Sequence, residues 1–406
     1  MNYKIIAIIL FIIVFLYRQA LTLLRLQSTR NPIPANVADI YDAETYAKWQ
    51  AYRREKCSLS VYESIVALVV DIVLVGADLY AAWAGLFSDT VFWQLFAVIL
   101  LSTLTVVFTL PFTYYDTMKI EEKYGFNRTK KGTFAVDQVK EVLISLGILT
   151  FLTWLLSVLH RGLGDWMILV FAIALSAFIF GFAFLYPILS RVFNKFTPLP
   201  EGELRDKLTA LLTKHGYTVR AIEVMDGSKR STKANAYFTG FGKLKTIVLF
   251  DTLIEKLTPD EICAVFAHEL GHGVHKDTLK GQIMTVVQML LLSVLAWLTV
   301  RTKDIFFDFG FTEVNYGLAV ILILSVEFAL ISPLLGILVN ALSRRHEYLA
   351  DRFAVEEGYG DALVSGLKKI VQADFGDVAP SPALIILEYS HPSLSQRFEA
   401  IEKAKG

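Results

Sequence analysis

The chain has 406 residues, 54% of them hydrophobic, and a mean hydropathy of +0.50. That is too apolar for an ordinary soluble protein of this length. Lys plus Arg and Asp plus Glu balance at 39 each, which suggests no nucleic-acid partner, and the two cysteines, Cys57 and Cys263, give no disulfide framework.

Lys4 is followed by an unbroken apolar run from Ile5 to Tyr17. That length also fits a signal-peptide core. No small-residue cleavage site follows, however, and Leu21 to Leu24 resumes the run past Arg18-Gln19, so residues 4–25 read as a first membrane helix. Residues 26–60 are polar. Spans over 61–87 and 91–115 come next, with Ser88-Asp89-Thr90 as the turn between them. Residues 116–140 are polar and basic. Spans over 142–159 and 166–192 complete an N-terminal membrane region, residues 1–193. Residues 194–281 form a polar segment with a helix over 203–215 and strands over 218–224, 235–240 and 244–250. A second membrane region, 282–342, holds spans over 282–300 and 316–342, and residues 343–406 are polar and mostly helical. Each of the seven spans suffices to cross ~30 Å of hydrocarbon.

The Lys- and Arg-rich loops are 26–60, 116–140, 194–281 and 343–406. With seven spans these all fall on one side, which the positive-inside rule makes cytoplasmic. Three carboxylates lie within the spans: Asp71 and Asp78, seven apart and so on one helix face, and Glu327. Without matching bases in the spans they point to a hydrated interior, although local pairing with polar side chains fits as well.

The segment 194–281 contains His268-Glu269-Leu270-Gly271-His272. On a helix the two histidines share a face one turn apart and reach one ion, with Glu269 beside them as general base. Thr258-Pro259-Asp260-Glu261 supplies an N-cap, a first-turn proline and a capping box, and the apolar run from Ile262 to Ala267 buries the helix. Buried imidazoles and a carboxylate need a partner, and a single Zn²⁺ per chain supplies it.

A catalytic zinc needs a third protein ligand. His275 does not fit the extended motif with a third histidine, because Lys276, Asp277 and Thr278 follow, and reads as a surface residue. Glu347 and Asp351 are four apart, so on a helix they share a face, and one can ligate while the other buttresses a ligating imidazole. His346 lies about 100° round that helix and should point elsewhere. Taken alone, a solvated charged face with Arg344, Arg345 and Arg352 is the simpler reading.

Five stretches together resemble the Ste24-type CAAX prenyl protease family of integral-membrane zinc metallopeptidases. They are Glu121-Glu122-Lys123-Tyr124-Gly125-Phe126-Asn127-Arg128, Asn235-Ala236-Tyr237-Phe238, the zinc motif, Glu347-Tyr348-Leu349-Ala350-Asp351 and Ser390-His391-Pro392. The resemblance implies a multi-pass α-helical membrane protein, seven transmembrane helices enclosing a chamber closed by a cytoplasmic α+β gluzincin-like peptidase domain. It makes Glu347 the third ligand and Asp351 its helper. It also implies that Arg397 holds the ligand carboxylates, that His391 lies near the metal, and that the Asn235-Ala236 edge pairs with a peptide substrate.

The chain departs from the eukaryotic pattern at Gly273, where those relatives typically carry Trp, and it lacks their long insertions. That suggests a bacterial plasma-membrane member, or an endoplasmic-reticulum one if the source is eukaryotic. The expected activity is a CAAX-type zinc metalloendopeptidase acting on a prenylated or membrane-associated peptide or protein in the bilayer. The alternatives are an HtpX-like quality-control protease, which lacks the Glu121–Arg128 loop, and a non-enzymatic scaffold or transporter, which has no chemical need for Glu269.

Overall fold

The computed structural model describes residues 2–87, 90–233, 235–239 and 244–406. It begins with α1 (Tyr3–Ser28), capped by the Asn2 side chain, which accepts from the Ile5 N–H at 3.1 Å. α2 (Ala43–Gly76) starts well inside the stretch expected to be a polar loop. Asp42 caps it, accepting from the Thr45 N–H at 2.7 Å. Trp49 and Tyr52 are buried while Lys48 and Arg54 are exposed, so the polarity that read as a loop is the solvent face of an amphipathic helix.

α2 stops at Gly76, and Asp78 takes a left-handed conformation with φ 54° before the short α3 (Leu79–Ala84). Asp78 therefore does not continue the face of Asp71. It pairs with Lys4 at 2.6 Å. Asp71 shares a cavity of about 260 Å³ with Arg18 and Ser64, and Glu327 accepts from the Thr299 hydroxyl at 2.8 Å. Among the described residues only Asp78 of the three carboxylates is in contact with a base, Lys4, which comes from α1 across a helix interface that a span-by-span count does not register.

The third span is two helices, α4 (Val91–Leu104) and α5 (Val106–Tyr115), separated at Thr105, whose hydroxyl donates to the Ser102 carbonyl at 2.6 Å. Ser88 and Asp89 of the expected turn lie outside the described residues. A π-helical turn over Asp116–Glu121 follows α5. α6 (Lys131–Leu163) and α7 (Met167–Phe193) are joined through Gly164–Trp166, where Gly164 has φ 54°.

The polar segment opens with β1 (Phe196–Pro198), too short to be seen in the sequence pattern, then α8 (Glu203–Lys214), β2 (Thr218–Met225), β3 (Ala236–Thr239) and β4 (Leu244–Phe250). The sheet order is β1-β2-β4-β3. β2 and β4 are parallel, with Ile222 opposite Ile247; β3 is antiparallel to β4, with Ala236 opposite Leu249. β3 thus forms an edge. The expected strand end at Gly240 lies outside the described residues. α9 (Asp251–Lys256) and α10 (Pro259–Val274) follow.

α11 (Asp277–Arg301), α12 (Lys303–Asp308) and α13 (Tyr316–Leu322) lead through a π-helical turn, Ile323–Glu327, into α14 (Phe328–Glu356). α15 (Gly360–Asp374), α16 (Pro382–Leu387) and α17 (Leu394–Lys405) complete the chain. Among the described residues six helical stretches are long and apolar enough to cross a membrane: Tyr3–Ser28, Ala43–Gly76, Leu95–Glu121, Lys131–Gly181, Leu279–Arg301 and Tyr316–Glu356. The stretch 131–181 takes in α6 and the first part of α7. The boundaries expected at 281/282 and 342/343 fall inside α11 and α14, which pass without a break between polar and apolar sequence.

Two cores result. One packs the apolar helices together; the other gathers Leu208, Leu212, Ile247, Leu249, Phe266 and Ile401 around α10. Gly271 lets α10 approach α14 closely, because a Cβ there would stand 2.9 Å from the Ala350 Cα. The loop 121–128 reaches the polar region as well: Asn127 bridges Ser231, and the Phe126 ring packs against Tyr52 and Phe375 at 5.4 and 5.1 Å.

Candidate metal centre

Helix α10 is fixed at both ends. At its start Thr258 and Glu261 form a reciprocal capping box, with contacts of 3.3 and 2.8 Å, and Glu261 also accepts from the Ser365 hydroxyl at 2.6 Å and from Lys369. At its far end it delivers His268 and His272 on one face, ring centroids 4.9 Å apart and nearly perpendicular at 87°. α14 crosses at Gly271 and brings Glu347 between them. One donor atom from each of His268, His272 and Glu347 lies within 4.8 Å of the others. His268 Nε2 is 3.4 Å from Glu347 Oε2, and His272 Nε2 is 3.2 Å from Glu347 Oε1.

Each of these three side chains is held from behind. His268 Nδ1 is 2.9 Å from Asp351 Oδ1. Arg397 clamps Asp351 with two donors, Nε at 2.9 Å and Nη2 at 2.6 Å, and its Nη1 lies 3.6 Å from Glu347 Oε2. Asp351, Glu347, His268 and Arg397 are all buried. This arrangement fixes the His268 tautomer with Nε2 turned inwards. The reading of Glu347 and Asp351 as a solvated charged face is therefore not what the structure has, because the arginine facing them comes from distant α17.

His272 is held by a residue the sequence reading passed over. Its Nδ1 is 3.1 Å from Asp277 Oδ2. Lys276 adopts a left-handed conformation, φ 58°, and this reversal between α10 and α11 turns Asp277 back onto the ring. Lys280 donates to Asp277 Oδ1 at 2.9 Å, and His346 Nε2 lies 3.4 Å from the same oxygen. His346 does not join the ligand cluster, but it stands beside the group that orients His272 and does not point away from the centre. His275 is half-buried against Phe353, ring centroids 6.4 Å apart, so the expectation of a surface histidine is corrected.

Of the remaining expected residues, His391 comes within 3.3 Å of Glu347 Oε1 through Nε2, while its Nδ1 is 2.9 Å from the Ser390 hydroxyl. Glu269 follows His268 on α10, close enough to act electrostatically on His272 and Arg397. Asn235 and Ala236 stand at the head of edge strand β3. The Asn235 Oδ1 accepts from the Ala236 N–H at 2.8 Å and its carbonyl from the Phe250 N–H at 3.1 Å.

The donor set fits zinc. Two neutral imidazoles and one carboxylate are a known catalytic set for this ion. Glu347 Oε2 is buried and makes no hydrogen bond, with His268 Nε2 at 3.4 Å and Arg397 Nη1 at 3.6 Å facing it, and a cation bound among the three side chains would offset its burial. Burial pushes the His272 pKa down, yet Glu347 and Asp277 outweigh it and lift the value to about 9. The His268 pKa is raised in the same sense, burial being overcome by Asp351 and Glu347. The pocket thus concentrates negative potential and favours a cation at its centre.

Comparison with known proteins gives the family of the chain. Residues 22–195 match the CAAX prenyl protease N-terminal family, described as five membrane helices, and residues 198–405 match peptidase family M48. A CAAX prenyl protease 1 homolog of Oryza sativa is 31% identical over 92% of this chain and 90% of its own length. CAAX prenyl protease 1 of Saccharomyces cerevisiae is 31% identical over 91% and 88%, and the human homolog 29% identical over 94% and 91%. The crystal structure of S. mikatae Ste24p superposes with a TM-score of 0.91 at 27% identity, covering 99% of both chains. With the peptidase match spanning more than half of its length and the five-helix membrane match preceding it, the chain belongs to peptidase family M48.

Proposed function

We propose that the chain is a zinc metalloendopeptidase of the membrane, of the CAAX prenyl protease kind, cutting a peptide bond near the C-terminus of a prenylated or otherwise membrane-anchored substrate. The observation that carries this reading is the cluster of His268, His272 and Glu347, whose potential donor atoms lie within 4.8 Å of one another.

In this reading His268, His272 and Glu347 hold the ion. Bound there, zinc polarises a scissile carbonyl and makes a water a usable nucleophile near neutral pH. Glu269 accepts the proton of the attacking water and returns it to the leaving amine. Asp351 and Asp277 hold the two imidazoles in the tautomer that presents Nε2, and Arg397 keeps the Asp351 carboxylate in place. His391, with Nδ1 near the Ser390 hydroxyl and a largely exposed ring, donates from Nε2 to the developing oxyanion. Edge strand β3 offers Asn235 and Ala236 as the start of a ladder for an extended peptide.

The peptidase region sits on the side of the membrane where the basic loops gather, and α6 and α7 count as two of seven spans. The CAAX prenyl protease names of the relatives point to prenylated substrates. The test is to incubate the purified full-length chain with a farnesylated CAAX peptide and with its unprenylated counterpart, each with and without a zinc chelator. Cleavage of the farnesylated peptide that chelator abolishes supports the reading; cleavage that resists exhaustive chelation and metal analysis overturns it.

A further inference from the structure

A cleft of about 660 Å³ lies between α2, α5 and the 121–128 loop, outside the metal centre. Its volume is in the range of small-molecule sites. Leu59, Pro111, Phe112 and Ile120 line its inner wall, and Arg54 and Lys123 stand on its polar rim. Two apolar exposed stripes lead into it. On α2, Tyr62, Ile65, Val69 and Val73 recur at helical spacing and are exposed; on α4 and α5, Leu104, Val107, Phe108 and Tyr115 are exposed. Such stripes face lipid in a membrane helix. Both end at a tyrosine, Tyr62 and Tyr115, and both tyrosines line the cleft. Tyrosine is enriched where hydrocarbon gives way to headgroups. The cleft therefore sits at the membrane–water boundary. It lies on the peptidase side, because the adjoining loop bridges to Ser231 through Asn127.

The rim carries two cations and one carboxylate. Lys123 pairs with Glu55, whose carboxylate also accepts from the Tyr124 hydroxyl at 3.0 Å. Arg54 is exposed and forms no ion pair among the described residues. We infer that this cleft binds an anionic glycerophospholipid, its phosphate between Arg54 and Lys123 and an acyl chain along Leu59, Phe112 and the two tyrosines. A guanidinium and an ammonium lining one cleft suit a phosphate, and the apolar wall continuous with the lipid-facing stripes selects a lipid over a soluble phosphate.

The experiment is native mass spectrometry of the full-length chain in detergent, titrated with phosphatidylglycerol, with phosphatidylcholine of the same acyl chains, and with the soluble glycerophosphoglycerol headgroup. The wild type should retain phosphatidylglycerol in preference to the other two. The double variant Arg54→Gln, Lys123→Gln should weaken that retention about tenfold or more and leave phosphatidylcholine unchanged. Leu59→Trp, which fills the cleft without touching the charges, should also lower phosphatidylglycerol retention. Equal retention of both lipids by the wild type, or no effect of either variant while zinc content stays normal, overturns the site. Competition by the soluble headgroup at equal concentration overturns the lipid assignment in favour of a phosphate site.

Discussion

Gly271 and Ala350 are in contact across the crossing of α10 and α14: a Cβ on the glycine would lie 2.9 Å from the Ala350 Cα and 3.1 Å from the Phe353 Cβ. The crossing sits between the two histidines in sequence and one residue from Asp351. It is what brings the HExxH face up to Glu347. Gly271→Ala must push the helices apart, at about 1–3 kcal/mol for overpacking. We expect lower zinc affinity together with a lower melting temperature. Zinc content measured against free-zinc buffers checks this; wild-type affinity in Gly271→Ala contradicts it.

The ligand assignment separates three acidic and basic neighbours. Glu347→Ala removes a donor and should leave the purified chain without metal. Asp277→Asn keeps all three donors but weakens the support of His272, so zinc should bind about 10–100-fold more weakly. His346→Ala leaves the ligands and Asp277 intact and should retain full zinc. Metal analysis of the three variants decides between them. An empty site in His346→Ala combined with a full one in Glu347→Ala would reassign the third ligand.

Much of this centre is legible in the sequence, and the residues show why. His268, Glu269 and His272 announce themselves because their spacing equals one helical turn, and Thr258 to Glu261 because a capping box is a local pattern. Glu347 and Asp351 share a helix face by the same arithmetic, but that Arg397 rather than water faces them depends on how α17 packs, and spacing alone has no access to that. Asp277 is not legible in the sequence because it acts through the left-handed Lys276, a backbone reversal that no pattern of residue types marks. The first half of α2 has the composition of a polar loop, and only the joint burial of Trp49 and Tyr52 makes it an amphipathic helix. The break at Gly76 and the Lys4–Asp78 pair lie in the same class: both depend on α1 packing against α2.

Glu261 ties the start of the motif helix to α15. Burial pushes its carboxyl pKa up, but the partly exposed Lys369, the Ser365 hydroxyl and the Thr258 N–H outweigh it and hold the pKa below its ordinary value of 4.5. A depressed folded-state pKa stabilises above the unfolded value, and the contribution is lost as pH falls through the folded one. Glu261→Gln keeps the capping box but loses the carboxylate's charge on the Lys369 and Ser365 contacts, and should cost about 1–2 kcal/mol at pH 7. Its melting temperature should also fall less steeply than that of wild type below about pH 4.5. Thermal unfolding across pH 3–7 on both proteins tests the point; parallel curves would remove Glu261 from the account.

The edge strand makes a separable prediction. Asn235→Ala should reduce peptide turnover while leaving zinc content unchanged. Ala236→Pro should reduce it further, because proline removes a ladder donor and fixes φ. Activity is to be read beside melting temperature. A large fall in melting temperature with normal specific activity in the folded fraction would assign Asn235 to local structure, consistent with its bond to the Ala236 N–H, and would leave the peptide-binding edge unassigned.

The most direct test of the central claim is a paired measurement on Glu269→Gln: zinc per chain and the rate of hydrolysis of a farnesylated CAAX peptide, both against wild type. The carboxamide leaves His268, His272 and Glu347 untouched but cannot take the water's proton. The account predicts one zinc per chain in both proteins and a rate reduced by about 10²–10⁴-fold, the usual loss for a general base. Equal zinc with a rate within about threefold of wild type, far short of that loss, would contradict it.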